Sequence, residues 1–114
     1  MNIVESTSPD APDVVILAIA GRLDATTAEA FGRRLSTAVE GGARAIVLDL
    51  AAMDYVNSVG LRTLLVAAKQ LMHVGGRIVL CGASPGVHAL LEASGFLSVC
   101  EIAATQDEGL ALVR

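Results

Sequence analysis

The chain has 114 residues, of which 54% are hydrophobic and 3% aromatic, and it carries a net charge of −4. That length suits one domain over 1–114, and that apolar fraction fills a core without a metal or a disulfide framework. The scarcity of aromatic rings and the lack of a basic run exclude a base-stacking or phosphate-neutralising nucleic-acid surface, so no direct nucleic-acid partner is expected.

In chain order, Asn2 to Thr7 reads as a short edge strand, with Ile3 and Glu5 expected on opposite sides of it. Ser8-Pro9-Asp10-Ala11-Pro12-Asp13 reads as a turn, because its prolines cannot donate to a ladder. Val14 to Ala20 is a buried strand, completing an antiparallel hairpin. Gly21-Arg22-Leu23-Asp24 is expected to break that strand and lead into a helix. Thr26 and Glu29 have the spacing of a capping box, and Asp24 is a rival cap. Ala28, Phe31, Leu35, Ala38 and Val39 recur at helical spacing, and Gly41-Gly42 ends the helix.

Ala45-Ile46-Val47-Leu48-Asp49-Leu50 has no wetted face, which suits a strand covered on both sides. After it comes a helix from about Ser58 to Val74, with Leu61, Leu64, Leu65, Ala68, Leu71 and Met72 on its apolar side. Asn57-Ser58-Val59-Gly60 lies at its start. Asn and Ser are both preferred N-cap residues, so Ser58 reads either as a cap alone or as an exposed hydroxyl at a helix start, where unpaired amides and the dipole tolerate a phosphate. Gly75-Gly76 closes this helix, and Arg77 to Cys81 forms the next strand. Ser84-Pro85 opens a helix that ends at Gly95, with Phe96 placed for the closing contact of a Schellman turn. Leu97 to Ile102 is a last strand, and Thr105 with Glu108 caps a terminal helix.

The sum is an α/β domain with a mixed, mostly parallel sheet, an N-terminal hairpin and about four helices. Cys81 and Cys100 match no zinc spacing and are expected to be reduced core thiols. No stretch reaches the ~20 apolar residues of a membrane span, and Met1 to Glu5 is no signal peptide, so the expected location is the cytoplasm. Asp24, Glu29, Asp49 and Asp54 show no paired-carboxylate spacing, and His73 and His88 accompany no motif. No P-loop, dinucleotide fingerprint or nucleophile elbow is present. Neither catalysis nor a metal or cofactor is expected.

Three segments carry a family likeness. They are Gly21-Arg22-Leu23-Asp24-Ala25-Thr26-Thr27-Ala28; Ile46 to Leu50 with Tyr55-Val56-Asn57-Ser58-Val59-Gly60-Leu61; and Gly75 to Cys81 with Ser84-Pro85 and Leu90 to Phe96. Together they resemble the STAS family of anti-sigma factor antagonists and their relatives. The resemblance implies a binding module rather than an enzyme. Its partner would be an anti-sigma factor that is a serine kinase of the histidine-kinase-like ATPase fold. That kinase would phosphorylate Ser58 and so end the binding, and a PP2C-type phosphatase would restore it. Asp24, Asn57, Ser58, Val59, Gly60, Arg62 and Val66 are the residues expected to meet the partner. Asn57 stands where antagonists often have Asp, and Val59 where many have a second hydroxyl. The alternative is a constitutive adaptor of the same fold, such as a subunit of a lipid-transport ATPase complex. It would dock through Arg62, Val66 and Lys69 without phosphate chemistry.

Overall fold

The computed structural model describes residues 1–95 and 98–114. Its elements run β1 (Asn2–Ser8), β2 (Ala11–Leu23), α1 (Ala28–Glu40), β3 (Ala45–Val56), α2 (Ser58–His73), β4 (Arg77–Cys81), α3 (Pro85–Ala93), β5 (Glu101–Ala103) and α4 (Gln106–Val113). The sheet order is β1-β2-β3-β4-β5, antiparallel between β1 and β2 and parallel thereafter. The mixed α/β architecture expected from the sequence is the one observed.

The sheet is covered on both faces, which is why its central strands read as unbroken apolar runs. On one face Leu17, Ile46, Leu48 and Leu80 pack with Phe31 and Leu35 of α1, Leu64 and Leu71 of α2, and Leu91 of α3. On the other, Val14, Ile16, Val47, Val79 and Cys81 are covered by Leu110 and Val113 of α4. Aliphatic side chains therefore carry almost the whole core. Burial pushes the Cys81 thiol up to about 11, with the Asp49 carboxylate adding to the shift, and burial alone pushes Cys100 up to about 12. A thiolate is the reactive form. Neither cysteine should therefore react with a disulfide reagent in the native protein at neutral pH, and both should titrate only in denaturant.

Several local expectations are corrected. Ile3 and Glu5 lie on the same side of β1, as period-2 geometry requires. Ile3 packs on the α1–α2 core, and Glu5 sits 3.5 Å from Arg34 of α1. The predicted turn is shorter: β2 resumes at Ala11 and runs through Pro12, which has no ladder partner on either side. The last strand begins later, at Glu101. The Schellman contact assigned to Phe96 and the strand start at Leu97 lie outside the described residues.

The largest correction positions the site. β2 does not stop at Gly21 but continues to Leu23, and β3 runs on past Leu50 to Val56 beside it. Their ladder slips twice. β2 steps from Ala18 to Ala20 while β3 steps from Asp49 to Ala52, and β2 steps from Gly21 to Arg22 while β3 steps from Met53 to Tyr55. Each slip is a bulge that adds one residue to β3. Gly21 takes φ +97° here, a left-handed conformation that glycine accepts without a Cβ penalty. Because of the bulges, β3 buries Leu50, Met53 and Val56, three apart rather than two. The result is a two-stranded extension that carries the ends of β2 and β3 forward together.

Candidate functional site at the start of the second long helix

The extension delivers two chain ends to one place. Leu23 pairs with Val56, so Asp24 and Asn57 are each one step beyond a paired position on neighbouring strands. The Asn57 amide donates to the Leu23 carbonyl at 3.2 Å, which ties the start of α2 to the end of β2.

Asn57, not Ser58, caps the helix. Its backbone is extended, and its Oδ1 accepts the Gly60 amide at 3.1 Å. Its carbonyl accepts the Leu61 amide at 2.9 Å. Ser58 is then the first helical residue and is exposed. Among the described residues its hydroxyl has no hydrogen-bond partner, so the capping-only role does not hold. An uncharged Asn gives up nothing as a cap relative to Asp. Replacing Asn57 by Ala should cost about 1 kcal/mol in urea denaturation, because the Gly60 amide loses its acceptor. Replacing Ser58 by Ala should leave the stability almost unchanged.

Gly60 is the one member of the predicted contact set that lies underneath the surface. A Cβ there would stand 2.7 Å from both the Leu23 carbonyl oxygen and Leu23 Cγ, and 3.1 Å from Val56 Cγ2. Its lack of a side chain lets α2 settle against the extension.

Asp24 is organised by its own loop. Its Oδ1 accepts the Thr26 amide at 3.0 Å and the Thr26 hydroxyl at 2.6 Å, and its amide donates to Thr27 Oγ1 at 3.0 Å. The capping box expected from Thr26 and Glu29 is therefore absent: Thr26 serves the Asp24 turn, and Thr27 occupies the N-cap position without a side-chain cap bond. Glu29 instead pairs with Arg33 at 2.8 Å. At the far terminus Thr105 does cap its helix, its Oγ1 accepting the Glu108 amide, while the Glu108 carboxylate accepts the Ala104 amide, one residue before the cap. The Thr26 hydroxyl and amide, followed by Arg22, hold the Asp24 carboxyl below its ordinary range. Asp24 therefore stays ionised well into acid. The order it lends the loop is present at neutral pH and fades as pH falls through that lowered value.

Arg22 lies 3.5 Å from Asp24 and stacks over Tyr55, 4.2 Å from the ring centroid. This cation–π pair follows from the Arg22–Tyr55 register and was missed in the sequence, because the second bulge decides which residue faces Arg22. Beyond it, Val59, Arg62 and Val66 of α2 face Glu29, Arg33 and Ser36 of α1 across a shallow groove of about 410 Å³. Val59 and Val66 are 45% and 48% exposed. Ser58, Val59, Arg62 and Val66 are thus accessible, and Asp24 and Asn57 are partly so. The whole is an exposed edge with an adjoining, largely apolar groove. The open groove beside exposed Val59 and Val66 suits a protein surface.

Fold and site together define a small α/β domain with a hydroxyl presented at a helix start. The STAS domain model matches residues 6–109, and the chain belongs to that family. Among its relatives is BtrV of Bordetella bronchiseptica, designated an anti-sigma factor antagonist, which is 39% identical over 101 residues, 89% of this chain and 87% of BtrV. The same fold appears in the anti-sigma factor antagonist SpoIIAA in its unphosphorylated form, with TM-score 0.76, 23% identity and coverage of 99% of this chain and 98% of that one. It appears equally in the Bacillus cell fate determinant SpoIIAA in the phosphorylated form, with TM-score 0.77, 24% identity and coverage of 99% and 100%. At these identities the structural likeness speaks for the fold. The relation to BtrV carries the broader statement that this is an anti-sigma-factor-antagonist-like STAS domain.

Proposed function

We propose that this chain is an anti-sigma factor antagonist gated by phosphorylation of Ser58. In its unmodified form it binds an anti-sigma factor, a serine kinase of the histidine-kinase-like ATPase fold, through Asp24, Asn57, Ser58, Val59, Arg62 and Val66. The bound sigma factor is thereby freed. Phosphorylation of Ser58 ends the binding, and a PP2C-type phosphatase restores it. The exchange takes place in the cytoplasm, and the chain acts by binding rather than by catalysis. The single observation that carries this is the division of labour at the helix start: Asn57 caps, so the Ser58 hydroxyl is exposed and uncommitted.

The chemistry supports a switch that leaves the fold intact. A phosphate adds about −1.5 to −2 charge and three acceptor oxygens. At the first residue of α2 it meets free amides and the positive end of the helix dipole, so the domain tolerates it. The partner's surface, matched to a small neutral hydroxyl, does not.

The test is incubation of the purified protein with an anti-sigma factor serine kinase from its own cell and ATP, followed by peptide mass spectrometry. One phosphate, on Ser58, is expected, and none on Ser58→Ala. No phosphorylation of the wild-type chain would overturn the proposal in favour of the constitutive adaptor.

A further inference from the structure

Among the described residues, the arginines on the elements that flank the start of α2 differ in how far they are already engaged. Arg22 at the end of β2 is held by Asp24 at 3.5 Å and by the Tyr55 ring. Arg33 on α1 is held by Glu29 at 2.8 Å. Arg62 on α2 is exposed, and among the described residues it has no carboxylate within ion-pair distance. Asp54, the remaining charged group near the end of β3, is exposed and likewise unpaired among the described residues.

Arg62 is also one turn after Ser58 on the same helix. Residues four apart share a helix face, and side chains lean toward the helix N-terminus, so Arg62 reaches back over the first turn. An anion placed N-terminal to a cation at this spacing is the favourable order. The first turn of α2 carries no acidic residue to offset the dipole, and among the described residues neither the Ser58 nor the Val59 amide donates to a cap or loop acceptor. The first turn that lacks negative charge and the uncommitted arginine are thus one helical turn apart on the same helix.

From this we infer that Arg62 is the intrachain acceptor of the Ser58 phosphate: in the phosphorylated protein its guanidinium closes onto the phosphate and leaves the α1–α2 groove. The inference rests on the proposed modification of Ser58 and adds how the modified state is held. One event would then alter two contact positions, a hydroxyl made bulky and anionic and an arginine withdrawn from the groove. Partner release would follow from both.

The test installs phosphoserine at position 58 during translation, so no kinase is involved, and follows the phosphate by ³¹P NMR through its second ionisation. That ionisation ordinarily falls near pH ~6. In the otherwise wild-type chain it should lie about 0.2–0.4 unit lower than in Arg62→Gln, as an exposed pair at this spacing implies. Arg62→Lys should recover part of the shift, and Arg22→Gln should leave it in place. Equal titrations in the wild-type and Arg62→Gln chains would overturn the inference, as would a shift that disappears with Arg22→Gln instead. If the kinase proves not to modify Ser58, the proposed function fails, while this titration still stands or falls by itself.

Discussion

Ser58→Asp should lose more than a hundredfold in affinity for the anti-sigma partner, while Ser58→Ala should bind about as tightly as wild type. The expectation rests on where the hydroxyl sits. Ser58 is exposed at the first position of α2, flanked by the partly exposed Asp24 and Asn57 and by exposed Val59. In a packed interface a carboxylate at that point displaces its neighbour and must be desolvated. Asp24, held ionised by Thr26 and Arg22, adds like charge beside it. A loss of about 3 kcal/mol corresponds to more than ~100-fold in dissociation constant. The Asp variant should keep its far-UV spectrum and even gain slightly in stability, since an acidic side chain at a helix start is favourable by about 0.3–1 kcal/mol. Titration calorimetry read beside a melting curve separates the two effects. Tight binding by Ser58→Asp would refute the expectation.

Gly60→Ala should be the most damaging single methyl near the site. The added carbon would lie 2.7 Å from the Leu23 carbonyl oxygen. That oxygen cannot retreat cheaply, because it accepts the Asn57 amide at 3.2 Å. Either α2 lifts from the extension or the tie between β2 and α2 breaks. Overpacking of this kind costs about 1–3 kcal/mol. We expect a loss of about 2 kcal/mol in urea denaturation, together with weakened partner binding, because the lifted helix carries Ser58 and Val59 with it. Gly86→Ala is the control. A Cβ at Gly86, in the first turn of α3, meets nothing within 4 Å. Alanine is the better helix former, so this variant should be as stable as wild type or more so. Equal stability of the two variants would contradict the packing account.

The order of elements was legible because each signal was local. Gly41-Gly42 and Gly75-Gly76 end α1 and α2 as read, with Gly42 and Gly75 in the left-handed region. Ser84 caps α3 through the Val87 amide, and Thr105 caps α4. What the sequence hid was decided between strands. Gly21 looks like a terminator, and only its pairing with Met53 shows it to sit beside a bulge of β3, within a continuing strand. Leu50, Met53 and Val56 are spaced unlike a strand, because two bulges in β3 reset which face each residue takes. The same limit applies at the site. Asn57 and Ser58 were both plausible caps, and the choice between them depends on the Asn57 amide finding Leu23 across the sheet. Gly60 could be placed in the loop but not assigned its packing task, since the atoms that require a glycine belong to Leu23 and Val56. The family resemblance singled out the serine, local chemistry left it as one of two caps, and the extended β2–β3 pair explains why Asn57 takes the cap.

The decisive measurement is the affinity of the anti-sigma partner for two preparations of this chain that differ only in phosphoserine or serine at position 58. The phosphorylated chain should bind at least a hundredfold more weakly, with an unchanged circular dichroism spectrum. Equal affinities for the two preparations would contradict the account.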